Sequence, residues 1–124
     1  MKEAIATSAA PAAIGPYSQA INTGNLIYCS GQLPIDPATG KMPEGIKEQT
    51  AQSLANVKAI LAEAGLDINA VVKTTVLLAD MSLFAEMNEV YGETFAKPFP
   101  ARSAFAVKAL PMGALVEIEV IATK

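Results

Sequence analysis

The sequence predicts an α+β fold: a two-layer sandwich in which a mixed sheet carries two helices on one face. Three observations predict it. Strand-like and helix-like segments follow one another in the order ββ-α-β-α-ββ. Each helical segment carries a single apolar stripe, enough to cover one face of a sheet. Apolar residues make up 52% of the chain and charged residues only 17%, against the roughly 25% charged of an average protein. A chain of 124 residues has much surface for its volume, so part of that apolar excess must lie outside its own core. The second face of the sheet is therefore expected to be covered by another subunit.

Each element has its own signal. Tyr17 to Asn22 reads as a strand, Thr23-Gly-Asn25 as a hairpin-type turn, and Leu26 to Ser30 as the returning strand. Gly31 follows, where backbone can approach a ligand closely. Pro34 to Gly40 is a loop, broken by Pro37 and Gly40. A helix is expected from about 46 to 64, because Leu54, Val57, Leu61 and Ala64 recur at helical spacing, with Gly65 as its stop. Val71 to Ala79, rich in Val, Thr and Leu, reads as a buried strand. Ser82 is the expected cap of a second helix running to about Phe95, with Phe84, Met87, Tyr91 and Phe95 on one face. Ala101 to Val107 and Leu115 to Thr123 are the last two strands, separated by the loop around Pro111-Met-Gly113. No repeat or linker divides residues 1–124, which read as a single domain.

Composition excludes whole classes of chemistry. There is no histidine, hence no Ser-His-Asp triad, no Cys-His dyad, no His general base and no HExxH zinc site. The one cysteine, Cys29, cannot form an intrachain disulfide or a CxxC site. No metal site is expected. The net charge of −3 argues against a nucleic-acid partner. No apolar run reaches the ~18 residues of a membrane span, and Lys2, Glu3, Thr7 and Ser8 interrupt any signal-like stretch. The expectation is a cytoplasmic protein with a reduced thiol.

Strand alternation assigns side chains to faces. In the final strand Val116, Ile118, Val120 and Ala122 form an apolar face, and Leu115, Glu117, Glu119 and Ile121 form the opposite one. In the strand before it, Ser103, Phe105 and Val107 share one face, and Arg102, Ala104 and Ala106 the other. If the aliphatic sets lie under the helices, Arg102, Glu117 and Glu119 lie together on the uncovered face. Burying them there is costly unless they pair or serve a ligand. Spacing alone leaves two readings of Arg102: a surface or interface ion pair with Glu117 or Glu119, or a group that binds an anionic ligand. Tyr17 after Gly15-Pro16 reads equally as a hairpin cap, Asn88 as a solvated helix position, Cys29 as a small strand residue, and Glu119 as a structural interface charge.

Several motifs, in order, carry a family resemblance. Pro100-Ala-Arg-Ser103 followed by Leu115-Val-Glu-Ile-Glu119 resembles the C-terminal signature of the Rid family, the YjgF-type reactive intermediate deaminases. Ala10-Pro-Ala-Ala-Ile-Gly-Pro-Tyr-Ser18, Cys29-Ser-Gly-Gln-Leu33, Gln52-Ser-Leu-Ala-Asn-Val-Lys58, Val72-Lys-Thr-Thr-Val76 and Asn88-Glu-Val-Tyr91 are similar to its RidA subgroup. The match spans essentially the whole chain. The resemblance implies a chorismate-mutase-like fold and a homotrimer with active sites between subunits. It also implies a cofactor-free hydrolysis of 2-enamine and 2-imine acids, such as 2-aminoacrylate and 2-iminobutanoate, to 2-keto acids and ammonia. By the same resemblance, Arg102 binds the substrate carboxylate and Glu117 handles the attacking water. Tyr17 closes over the pocket, Asn88 lines it, and Ser30 with Gly31 form a backbone wall. One departure is Ala104, where many members carry cysteine; thiol chemistry is not expected at that position.

That chemistry suits these residues. An imine carbon is already electrophilic, so its hydrolysis needs a held substrate, a placed water and one carboxyl group to move protons. Arginine grips a carboxylate bidentately and stays charged when buried. Glu119, two residues away on the same face, should raise the Glu117 pKa, with Arg102 opposing the rise. Two other readings fit the same residues. One is a non-catalytic module that binds small carboxylates such as 2-keto acids; the other is an endoribonuclease or translation inhibitor, which the lack of His and of a basic patch disfavours.

Overall fold

The computed structural model describes all of residues 1–124. Six strands form one mixed sheet: β1 (Glu3–Ile5), β2 (Ala20–Asn22), β3 (Leu26–Gln32), β4 (Val71–Leu78), β5 (Ala101–Ala106) and β6 (Val116–Thr123), in the order β1-β2-β3-β6-β4-β5. Only β4 and β5 pair parallel. They are joined through helix α2 (Phe84–Thr94), the crossover that a parallel pair requires. β6 inserts between β3 and β4, antiparallel to both. Helix α1 (Ile46–Glu63) packs beside α2 on the same face. This is the expected α+β sandwich, with one strand more than expected. β1 is three residues long and exists through its long-range pairing with β2, Glu3 opposite Asn22.

The core lies between sheet and helices. Val116, Ile118, Val120 and Ala122 of β6 are buried there with Ile27 and Cys29 of β3, Val76 and Leu78 of β4, and Leu54, Val57, Ile60 and Leu61 of α1. The final strand thus faces as its alternation predicted. α1 ends in a Schellman motif: Leu66 N–H donates to the Leu61 carbonyl (2.8 Å) and Gly65 N–H to the Ala62 carbonyl (2.9 Å), with Gly65 at φ 78°. No helix is long and apolar enough to cross a membrane.

Three expectations are corrected. The strand expected from Tyr17 begins only at Ala20, because Gln19 is spent on a different task. Its buried side-chain amide accepts from Thr7 N–H (2.7 Å) and donates to the carbonyls of Thr7 (3.1 Å), Ala10 (3.4 Å) and Pro11 (2.7 Å), tying the N-terminal segment to the sheet. Ser82 is not a helix cap. Asp80 accepts from Ser82 N–H (2.8 Å) and starts a 3-10 turn, Met81–Leu83, that runs into α2. That hydrogen bond holds the Asp80 carboxyl below its ordinary pKa.

The third correction concerns β5. Arg102 pairs with Thr74, Ala104 with Val76 and Ala106 with Leu78, and these β4 residues face the helices, fully or almost fully buried. Arg102 therefore lies on the helix side of the sheet, while Ser103 and Phe105 lie on the open side with Glu117 and Glu119. The apolar bulk of Phe105 misled the pattern. Beside Arg102, the helix side of this edge strand carries only the small Ala104 and Ala106, while Met87 and Tyr91 of α2 are buried. The larger side chain turns to the uncovered face, where Phe105 is 47% and Tyr28 46% exposed.

Candidate functional site

The sequence-derived candidates fall into two groups on opposite faces of the sheet. The first is on the open face. β3 carries a bulge: Cys29 lies opposite Val120 and Gln32 opposite Ile118, so Ser30 and Gly31 together share the space opposite Glu119. The extra residue brings the Gly31 backbone against the side chain of Glu117. A methyl group at Gly31 would collide with Glu117 Oε2 and come within 2.8 Å of its Cδ. Gly31 is required here for close approach, since its φ is not positive. Ser30 is held from two sides. Its N–H donates to the Gln19 carbonyl (2.9 Å) and its hydroxyl to the Ser18 carbonyl (2.6 Å). Tyr17 and Gly31 share a cavity of about 290 Å³ with Ile14, Leu33 and Met112. Tyr17 is half-exposed at its wall.

Glu117 is half-buried on β6. Burial, and secondarily the neighbouring Glu119 charge, push its pKa above the ordinary glutamate value. The direction is the expected one. Arg102 does not oppose it within the chain, because it lies on the other face. Neither glutamate pairs with Arg102; the one ion pair in the molecule is Lys47–Glu89 (2.8 Å), on the surface. Within one chain, Arg102 therefore forms no ion pair with either glutamate.

The second group surrounds Arg102 on the helix side. Its Nη1 donates to Asn88 Oδ1 at 2.6 Å. Its guanidinium carbon lies 4.7 Å from the Tyr91 ring centroid and 5.4 Å from that of Phe84. Asn88, Tyr91, Gly92, Phe99, Pro100 and Arg102 line a cavity of about 420 Å³, in which Arg102 is the only charged lining residue. Of the guanidinium's five N–H donors, one is engaged by the protein. A cation with its donors unspent, in a pocket otherwise neutral, is suited to a small carboxylate.

Cys29 is buried, and desolvation with the Glu119 charge raises its thiol pKa to about 12. It is a packing residue with an inert thiol. No group of three or more Cys, Asp and Glu side chains comes together as a metal site would require. Sequence reasoning missed Thr74, Phe84, Tyr91 and Gln19 as parts of these sites. The spacing of 84, 88 and 91 was a signal for two of them: it places Phe84, Asn88 and Tyr91 on one helical stripe.

A family model described as "Endoribonuclease L-PSP" matches residues 7–124. A RutC family protein of Pyrococcus horikoshii is 56% identical, over 100% of this chain and 99% of the relative. The mouse protein named 2-iminobutanoate/2-iminopropanoate deaminase is 51% identical, over 100% of this chain and 93% of that one. Among solved structures, the E. coli YjgF gene product superposes with a TM-score of 0.93 at 48% identity, covering 98% of each chain.

Proposed function

This chain belongs to the Endoribonuclease L-PSP family, which is the YjgF/Rid family, and from that premise we propose that it is a deaminase that hydrolyses 2-imine and 2-enamine acids to 2-keto acids and ammonia. The observation that carries the reading is Arg102: one hydrogen bond to Asn88, no carboxylate partner, and a neutral cavity in front of it. The name of the mammalian relatives supports the reaction class.

The two half-sites lie on opposite faces of one sheet, so a complete site needs two copies. Arg102 and Asn88 of one copy meet Glu117, Tyr17, Ser30 and Gly31 of the next, as three copies close around their open faces. The exposed Tyr28 and Phe105 on that face support such an assembly, and a cytoplasmic setting suits it. In the reaction, the Arg102 fork holds the substrate carboxylate, and the enamine takes a proton from solvent at its β-carbon to become the protonated imine. Glu117, ionised, accepts a proton from water as the oxygen bonds to the imine carbon and the C=N π electrons pass to nitrogen. The proton returns to nitrogen; as the C–N bond breaks and ammonia leaves, Glu117 takes the hydroxyl proton and the carbonyl forms. Every step uses groups of this chain, water and the substrate.

The test is to generate 2-aminoacrylate from serine with a dehydratase and follow pyruvate above the spontaneous rate. Wild type that leaves the rate at background overturns the reading. The non-catalytic alternative, a sensor of small carboxylates, has no use for a carboxyl group with a raised pKa. The nuclease reading lacks a histidine and a positive net charge.

A pH dependence follows from Glu117. A base must be ionised, so the acid limb of kcat/KM should lie above the ordinary glutamate range. Glu119→Gln removes the neighbouring like charge, and the limb should move to lower pH. The raised pKa also means that the folded state holds this proton more tightly than the unfolded chain does. Its contribution to stability is present at low pH and is lost as pH rises through the folded-state value. A pH–rate profile whose limb stays in place in Glu119→Gln would count against the role given to Glu117.

A further inference from the structure

We infer that Tyr91, anchored by Thr74, is a positioning residue that pre-sets the Arg102 guanidinium for a carboxylate; the inference rests on the deaminase reading of that arginine. Arg102 sits on an edge strand and is exposed. An arginine in that position would ordinarily sample many rotamers, and ordering it on binding would cost affinity. Here three side chains of α2 fix it beforehand. The Tyr91 ring lies over the guanidinium at 4.7 Å, the Phe84 ring at 5.4 Å, and Asn88 Oδ1 takes one Nη1 hydrogen at 2.6 Å.

The Tyr91 ring is itself fixed. Its hydroxyl shares a 2.7 Å hydrogen bond with Thr74 Oγ1, and both residues are buried. Thr74 is the residue that pairs with Arg102 in the β4–β5 register. The ring over the arginine is therefore tied to the strand position directly beside the arginine. Phe95 also packs against the ring, with centroids 4.5 Å apart. Packing alone does not call for this arrangement. Phenylalanine and valine would fill the same volume with no buried hydroxyls to satisfy. What the hydroxyl pair adds is a defined ring position, and through it a defined plane for the guanidinium. The donors not taken by Asn88 then face the cavity in a geometry that a carboxylate can accept without reordering the side chain.

The experiment measures steady-state kinetics in the dehydratase-coupled assay, the Kd of the product analogue 2-oxobutanoate, and the melting temperature. The variants are Tyr91→Leu, Tyr91→Phe and Arg102→Ala, together with the Tyr91→Leu/Arg102→Ala double variant. Tyr91→Leu should raise KM and the 2-oxobutanoate Kd together by about tenfold, with kcat within about threefold of wild type. Tyr91→Phe keeps the ring and loses only its anchor, so it should raise both by about threefold. In the Arg102→Ala background, Tyr91→Leu should have no further effect on Kd, because the residue acts through the guanidinium. Additive effects in that double variant, or a folded Tyr91→Leu with wild-type KM and Kd, would overturn the inference. If Tyr91→Leu does not fold, Tyr91→Phe decides by the same two readouts. Wild-type kinetics in Arg102→Ala would instead overturn the reading of the arginine itself.

Discussion

Replacing Arg102 with alanine should lower kcat/KM for imine hydrolysis by about 100- to 1,000-fold while leaving the melting temperature unchanged. The magnitude follows from what the cavity contains. Arg102 is its only charged lining residue, and the others are Asn88, Tyr91, Gly92, Phe99 and Pro100. A substrate carboxylate that enters without the arginine keeps at most the Asn88 amide. Truncating one side of a desolvated, hydrogen-bonded charge pair costs about 2–5 kcal/mol, and each 1.4 kcal/mol is tenfold. The fold should not suffer, because the side chain is exposed and its one hydrogen bond is to another exposed residue. Lysine at the position keeps the charge but loses the fork and the stacking on Tyr91 and Phe84, so Arg102→Lys should recover only part of the loss. Initial rates of pyruvate formation check this. An alanine variant within threefold of wild type would remove the arginine from the mechanism.

Glu117→Gln should lower kcat by about 100- to 10,000-fold with little change in the Kd of 2-oxobutanoate. The amide matches the carboxyl in size and cannot accept the proton of the attacking water. Gly31→Ala approaches the same group from the backbone side. The new methyl would lie 2.8 Å from Glu117 Cδ, so the carboxylate must swing away while the strand stays in place. A shift of about 1 Å in a reacting group can cost up to about 100-fold, so Gly31→Ala should lose kcat with a normal melting temperature. A Gly31→Ala enzyme with wild-type turnover would show that Glu117 need not stand where the structure has it.

Much of this was legible in the sequence where burial on one face forced a pattern. Val116, Ile118, Val120 and Ala122 alternate without a break because all four must enter the core, and Glu117 and Glu119 then had to face outward. The Schellman end of α1 was legible in Gly65. β5 was not. Both of its faces carry apolar residues, and its phase is set by pairing with Thr74, Val76 and Leu78, a relation that a strand's own residues do not encode. β1 and the Gln19 clamp were hidden for a similar reason. Three residues pair with a strand about seventeen positions away, and a glutamine in a strand-like run gives no hint that its amide binds the backbone of residues 7–11. Arg102 and Glu117 were both identified as candidates. Their placement on opposite faces required the register.

That placement has a genetic consequence. If each site draws Arg102 from one copy and Glu117 from its neighbour, the two knockouts complement each other. A cell or a refolded mixture holding Arg102→Ala and Glu117→Gln chains together forms hybrid rings. In each hybrid ring of three, one junction joins an intact arginine to an intact glutamate. Two null alleles that are silent alone should then give measurable turnover in trans. The double variant carrying both changes on one chain should rescue neither.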